Sequence, residues 1–188
     1  MISKVIRYVE SGNFKYALRF EEKVYNSLKS TVKSQNQVVK RIRDIHYCSE
    51  DTARMIAATS WGYYQILGLN IYSLCGYNDL IFKFVEDDQK QDEAFYRFCE
   101  LKKISLLKAE KDLHDLTIVS IMIEAGKKSI GEYVKSFQDY VIKKIKKYPY
   151  LKDFINRYNG ARAVSDVFFD YLLRMVYYYK NLQRGELK

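Results

Sequence analysis

The sequence is poor in the residues that make tight turns. It contains one proline and eight glycines in 188 residues, which is too few for a β-sandwich or a barrel with many tight turns. No alternation of apolar and polar residues is bounded by turn signals, as a strand would be. We therefore predict an all-α fold with at most a very short β element near residues 12–20.

Histidine and cysteine are also scarce, which limits the available chemistry. The two histidines, His46 and His114, are too few and too far apart in the sequence for a metal site. We predict no metal and no cofactor. The three cysteines, Cys48, Cys75 and Cys99, form no closely spaced motif. Their odd number indicates buried thiols of a reducing compartment rather than a disulfide framework.

Long apolar runs are absent, whereas positive charge is abundant. The first residues form neither the apolar region nor the cleavage site of a signal peptide, and no run is long enough to span a membrane. We expect synthesis in the cytoplasm without export by the ordinary route. The chain has 32 Lys and Arg against 23 Asp and Glu, a net charge of +9. Such a protein concentrates near nucleic acid, anionic lipid or cell-wall polymers.

Part of this charge lies in one short basic run, Lys143, Lys144, Lys146 and Lys147. The simpler interpretation is a solvated helix face. The alternative is an electrostatic anchor for an anionic wall polymer or inner-membrane lipid. The 18 tyrosines are interpreted as residues at the rim of the core with their hydroxyl groups in water, not as base-stacking groups. We therefore predict no specific nucleic acid partner.

The first candidate catalytic residue is Glu10. Apolar residues recur at helical spacing over residues 2–9, and Gly12 and Asn13 signal the end of that helix. A carboxyl group at the end of a buried helix loses hydration, and this raises its pKa. A raised pKa is what a general acid needs at neutral pH. On its own, however, a glutamate before a glycine is an ordinary residue at a helix end.

Three motifs in a fixed order strengthen the prediction that Glu10 is a catalytic residue. Glu10-Ser11-Gly12 is followed by Ser60-Trp61-Gly62-Tyr63-Tyr64-Gln65-Ile66 and later by Tyr158-Asn159-Gly160. This order is similar to that of goose-type lysozymes and lytic transglycosylases. It most closely resembles the N-acetylmuramidase family found as the catalytic domain of phage endolysins. Phe20-Glu21 also matches a segment of that family.

The resemblance covers most of residues 1–100 and resumes at 150–180. It implies a lysozyme-like helical fold in which Glu10 protonates the leaving oxygen of a glycosidic bond. Glu21 lies beyond a short connection that can fold back toward Glu10, so it is the candidate general base. The alternative for Glu21 is a charge at the start of a helix, and Glu22 is a weaker substitute.

The resemblance also implies a set of substrate-binding residues. Gly62 allows a ligand to approach the backbone closely, Gln65 can bond an N-acetyl group, and Ser60 can hold a water or that group. Trp61 and Tyr63 offer flat faces to sugars. The alternative for this segment is a core tryptophan beside a packing glycine.

Two residues near the C-terminus complete the predicted site. By resemblance to the Tyr-Asn motif of lytic transglycosylases, Tyr158 is expected to position the catalytic acid. Asn159 is expected either to cap its helix or to contact the sugar.

We predict one monomeric domain over residues 1–188, with residues 102–148 as a helical insertion that diverges from the family and no separate wall-binding module. The predicted function is that of an endolysin-type peptidoglycan hydrolase cleaving the MurNAc-β-1,4-GlcNAc bond. It would accumulate in the host cytoplasm and reach the wall once a partner permeabilises the membrane. One alternative is a lytic transglycosylase that forms an anhydro sugar end. The other is a non-catalytic basic protein that binds nucleic acid or an anionic surface.

Overall fold

A computed structural model of the protein describes residues 1–30, 33–161 and 165–187. Helices predominate in these residues, and the prediction of a mostly α fold is confirmed. In chain order the elements are α1 (Ile2–Ser11), β1 (Leu18–Phe20), α2 (Glu22–Lys29), α3 (Lys33–His46), α4 (Glu50–Ala57), β2 (Thr59–Trp61), β3 (Ile66–Leu67), α5 (Gly68–Ser73), α6 (Ile81–Glu86), α7 (Asp88–Leu101), α8 (Leu106–Ala125), α9 (Ile130–Lys144), a short 3-10 helix (Ile145–Lys147), α10 (Pro149–Tyr158) and α11 (Asp166–Gln183).

The chain divides into two compact units. One, here called the sheet unit, comprises residues 10–101, and the other, the helical unit, comprises residues 1–9 and 102–188. The division falls within α1, between Val9 and Glu10. That residues 1–188 form one domain, with an insertion at 102–148, stays a prediction.

The sheet unit contains a three-stranded antiparallel sheet in the order β1-β2-β3. Leu18 lies opposite Trp61, and Arg19 lies opposite Ser60. We expected only the first of these strands. β2 and β3 are three and two residues long, which is too short for an alternating pattern to emerge from the sequence. The turn between them depends on the positive φ angle of Gly62, 74°, which favours glycine.

One helix of the sheet unit was also not anticipated. The polar and basic composition of residues 34–43 predicts a surface stretch, but these residues form most of α3. Val39 and Ile42 on this helix are buried. The helical spacing of these two residues was obscured by the lysines and arginines around them. The core of the unit is built from residues that most of its helices contribute, namely Leu28, Val39, Ile42, Ala53, Ala57, Ile71, Tyr72, Ile81, Phe84 and Phe95.

The helical unit follows the sequence prediction closely. The helical spacing of residues 106–125, followed by Gly126, predicts one helix, and α8 spans these residues. Pro149 and Asn159-Gly160 predict the start and the end of another, and α10 spans Pro149–Tyr158. α9 begins after Ser129, whose hydroxyl oxygen accepts the Glu132 N–H at 3.2 Å as an N-cap. The densely aromatic pattern of residues 163–182 predicts the last helix, and its predicted start at residue 163 lies outside the described residues.

The core of the helical unit is apolar and includes many aromatic rings. Its buried residues include Ile2, Val5, Ile6, Val9, Leu113, Leu116, Phe137, Val141, Leu151, Phe154, Ile155, Phe168, Leu172 and Met175. No helix in the described part of the chain has the length and apolar character needed to cross a bilayer.

Candidate active site

Glu10 lies in the last turn of α1 and is partly buried. The helix end is the one predicted: Gly12 and Asn13 both have φ angles of 65°. Within the helical unit, Arg174 Nη1 donates to the Val9 carbonyl oxygen at 3.0 Å. A carbonyl in the last turn of a helix has no partner inside the helix. This bond therefore fixes the backbone immediately before Glu10.

Glu21 sits where β1 passes into α2. Its Oε1 accepts a hydrogen bond from Arg19 Nε at 2.7 Å, and the hydroxyl of the buried Ser60 donates to the same oxygen at 3.5 Å. Its backbone N–H donates to the Ala58 carbonyl at 2.9 Å. The sheet register, which places Arg19 opposite Ser60, is what brings these groups to one carboxylate. Two residues of the predicted site, Glu21 and Ser60, are thus in contact.

Gly62 is packed against a buried amide that the sequence analysis did not identify. A Cβ atom on Gly62 would lie 2.1 Å from Gln91 Oε1. That oxygen accepts the Tyr63 N–H at 2.7 Å, and Gln91 Nε2 donates to the Val85 carbonyl at 2.9 Å. The sequence does indicate that Gln91 is buried, because it lies on the apolar face of α7, three residues before Ala94.

Trp61 and Tyr63 are both held within the sheet unit. The Trp61 indole N–H donates to the Ile56 carbonyl at 3.1 Å. The Tyr63 hydroxyl donates to Asp88 Oδ2 at 3.4 Å. Only 9 % of Tyr63 is exposed, so in this conformation it offers little surface to a sugar. Sugar stacking by the two residues stays a prediction.

Gln65 stabilises the turn between β2 and β3. Its Nε2 donates to the carbonyl oxygens of Ala17 and Gly62, both at 3.0 Å. The amide nitrogen is therefore used within the fold. The amide oxygen is the atom that can accept a hydrogen bond from an N-acetyl group.

Tyr158 and Asn159 belong to the helical unit, at the end of α10. The Tyr158 ring stacks on Phe154 with centroids 5.2 Å apart. Asn159 occupies the C-cap position, and its backbone N–H donates to the Ile155 carbonyl at 3.0 Å. Their predicted roles toward Glu10 and the substrate stay predictions.

The positive charge is distributed unequally between the two units. The helical unit contains 20 Lys and Arg against 10 Asp and Glu, a net charge of +10, and the sheet unit contains 12 against 13, a net charge of −1. The lysines of the basic run are exposed around the buried Ile145. Among the described residues, no carboxylate forms an ion pair with any of these four lysines, Lys143, Lys144, Lys146 and Lys147.

Metal-binding groups do not converge in the described ranges. No three His, Cys, Asp or Glu side chains lie close enough together there to hold an ion. Catalysis by two glutamates would not require one.

Comparison with known proteins identifies the family. The N-acetylmuramidase family model, named Muramidase, matches residues 7–118, and the chain belongs to this family. The chain is also 40 % identical over 95 residues to an endolysin of Enterobacteria phage PRD1, across 50 % of this chain and 63 % of that relative. The chain thus covers less than two thirds of the relative's length. No solved structure matches.

The matched range includes Glu10, Glu21 and residues 60–65. It also includes residues 102–118, the first part of the segment predicted to be an insertion. It ends before Tyr158 and Asn159, whose assignment therefore depends on the resemblance of the Tyr-Asn motif alone.

Proposed function

We propose that the protein is a peptidoglycan hydrolase that cleaves the MurNAc-β-1,4-GlcNAc bond, with Glu10 as general acid. The observation that carries the proposal is the N-acetylmuramidase family match over residues 7–118. The contact between Glu21 and Ser60 adds support, because it joins two of the predicted site residues in space.

Cleavage of the glycosidic bond requires a general acid and a general base. Glu10 protonates the glycosidic oxygen as the bond to the sugar breaks, and the ring develops oxocarbenium character. Glu21 accepts a proton from a water that attacks the sugar. Arg19 and Ser60 hold one oxygen of Glu21 in place, and a charge-assisted bond of this kind fixes orientation well.

The product chemistry tests the proposal. Purified peptidoglycan is digested with the protein, and the soluble fragments are analysed by mass spectrometry. We expect fragments with reducing N-acetylmuramic acid ends. Fragments lighter by one water would instead assign a lytic transglycosylase, and a lack of soluble fragments would contradict an enzymatic role.

The role of Glu21 can be tested separately, and the adjacent Glu22 provides the matched control. We expect Glu21→Gln to reduce product release by at least about 100-fold, the usual contribution of a positioned acid or base. Glu22→Gln is expected to release product at nearly the wild-type rate. Equal activity of Glu21→Gln and wild type would remove Glu21 from the mechanism.

The exposed basic run on the helical unit supports a second element of the proposal. Lys143, Lys144, Lys146 and Lys147 would hold the enzyme near an anionic polymer or lipid of the cell envelope. Replacing all four by Gln should weaken retention on whole cell walls at low salt, with little difference at high salt because salt screens exposed charge. Unchanged retention at low salt would contradict this element.

In the same proposal, the enzyme accumulates in the host cytoplasm until the membrane is permeabilised.

A further inference from the structure

The second half of α8 exposes apolar side chains to solvent. Ile118 is 44 % exposed, Ile121 37 % and Met122 70 %, and Ala125 is exposed as well. The spacing of these residues, i, i+3, i+4 and i+7, places them on one face of the helix. We call these four residues the apolar stripe. Single exposed apolar side chains are common on protein surfaces, but contiguous ones generally mark a binding site.

The buried face of the same half of α8 contains polar residues. Thr117 and Ser120 are both buried. The Thr117 hydroxyl donates to the Leu113 carbonyl oxygen at 2.7 Å, and the Ser120 hydroxyl forms a hydrogen bond of 2.7 Å with that of Tyr133. A helix that only packs against a core has the reverse arrangement, with its apolar residues inside and its polar ones outside. Packing of the core therefore does not account for the stripe.

The stripe is a local feature of one end of α8. In the first half of the helix the same face contains Lys111 and Asp115, both exposed. The N-acetylmuramidase family model ends at residue 118, where the stripe begins. The stripe thus lies in a part of the chain that the family match does not describe, and a role for it goes beyond the proposed function.

Two cations follow the stripe directly. Lys127 and Lys128 are exposed, and within the described ranges neither ammonium group forms an ion pair with a carboxylate. The acidic groups of this region have other partners. Glu124 pairs with Lys180 at 2.8 Å, and Glu132 Oε2 accepts the backbone N–H of Lys128 at 3.1 Å. The two lysine charges are therefore available to an anionic ligand, on a unit whose net charge is +10.

An anionic lipid bilayer has the chemistry that matches this combination. Its hydrocarbon region accepts apolar side chains, and its phosphates lie at the depth of lysines next to an inserted helix face. Nucleic acid or an anionic wall polymer would bind the lysines but has no apolar phase for Ile121 and Met122. In a symmetric dimer the same surface meets itself, so a second copy would bring its own Lys127 and Lys128 against this pair.

We propose that the end of α8 is a membrane-binding element, in which the apolar stripe enters one leaflet of an anionic bilayer and Lys127 and Lys128 bind lipid phosphates. This element differs from the basic run in its dependence on salt. A purely electrostatic contact is screened by salt, whereas the burial of apolar side chains is not.

The test measures binding of the full-length chain to vesicles of phosphatidylglycerol and phosphatidylcholine by sedimentation, at low and at high salt. The stripe variant contains Ile121→Ser and Met122→Ser. The matched control contains Leu107→Ser and Val167→Ser, which replace two other exposed apolar residues of the helical unit. Leu107 lies about 20 Å from Ile121 along α8. Circular dichroism establishes that both variants are folded.

We expect the stripe variant to bind at least about tenfold more weakly than the wild type, because two side chains no longer transfer from water into the bilayer. The control variant should bind like the wild type. At high salt part of the wild-type binding should remain, and the stripe substitutions should remove it. Lys127→Gln with Lys128→Gln should weaken binding at low salt and have little effect at high salt.

Four outcomes would overturn the proposal. Three of them are a wild type that the vesicles do not retain at low salt, a folded stripe variant retained as well as the wild type, and a control variant that binds as weakly as the stripe variant. The fourth is a dimer that the stripe substitutions dissociate without any loss of vesicle binding, which would assign the stripe to contact between copies. Vesicle binding requires no turnover, so failure of the proposed function would leave this result unaffected.

Discussion

Replacing Gly62 by alanine should destabilise the protein much more than a glycine substitution normally does. The new Cβ would lie 2.1 Å from Gln91 Oε1, so the Gln91 side chain has to move. That movement breaks its bonds to the Tyr63 N–H and the Val85 carbonyl. Both groups are buried, and each loses a hydrogen bond that water cannot replace.

The magnitude follows from two separate costs. Alanine at a φ angle of 74° costs about 1–2 kcal/mol in backbone strain. Disrupting the two buried hydrogen bonds adds about 1 kcal/mol or more for each. We therefore expect Gly62→Ala to lower the free energy of unfolding by about 3–5 kcal/mol, a large part of the usual stability of a domain.

Gly76 provides the matched control. Its φ angle is 72°, and a Cβ there would meet nothing within 4 Å, so Gly76→Ala should cost only the strain. Urea unfolding followed by circular dichroism measures both variants. In a Gln91→Ala background, the cost of Gly62→Ala should fall to that of Gly76→Ala, because the collision is gone. Equal costs of the two substitutions in the wild-type background would refute the reasoning.

Three further predictions concern the sheet unit. Gly68→Ala places a Cβ 2.1 Å from the Ile56 carbonyl oxygen, which accepts the Trp61 indole N–H. Because this contact has to open, the fluorescence of the single tryptophan should shift to the red, and an unchanged spectrum would contradict the packing. Burial lowers the pKa of His46 below 6.5, so as the pH falls the imidazole is protonated in the unfolded state before it is protonated in the native state. The free energy of unfolding should therefore decrease as the pH drops below 6.5, and His46→Gln should make this decrease smaller. Burial raises the pKa of Cys75 to about 11 and of Cys99 to about 12; neither should react with a thiol reagent in the native protein at mildly alkaline pH, and rapid labelling would contradict their burial.

The helices were predictable where periodicity and terminal signals agreed. α8 ends at Ala125, directly before Gly126, and α10 runs from Pro149 to Tyr158. Proline at the first position of α10 and Gly160 after it, with a φ angle of 76°, have conformational preferences that mark the ends of this helix in any context. α3 was not recognised, because Val39 and Ile42 provide only a narrow apolar face among charged residues.

The candidate site was only partly predictable. The motifs identified Glu21 and Ser60 one at a time, but their contact depends on the register of strands only three residues long. Gln91 was missed because its position on the apolar face of α7 indicates only that it is buried, and not that its amide packs against Gly62 and binds the Tyr63 N–H. The unequal distribution of charge was not predicted, although it is visible in the sequence: residues 102–188 alone contain 18 Lys and Arg against 10 Asp and Glu.

The central claim is that Glu10 is the general acid of a peptidoglycan hydrolase, and the substitution Glu10→Gln tests it most directly. The release of soluble fragments from purified peptidoglycan is measured for wild type and variant, and circular dichroism establishes that the variant is folded. We expect a folded variant whose rate of release is at least about 100-fold lower. A folded Glu10→Gln variant that releases fragments at the wild-type rate would contradict the claim.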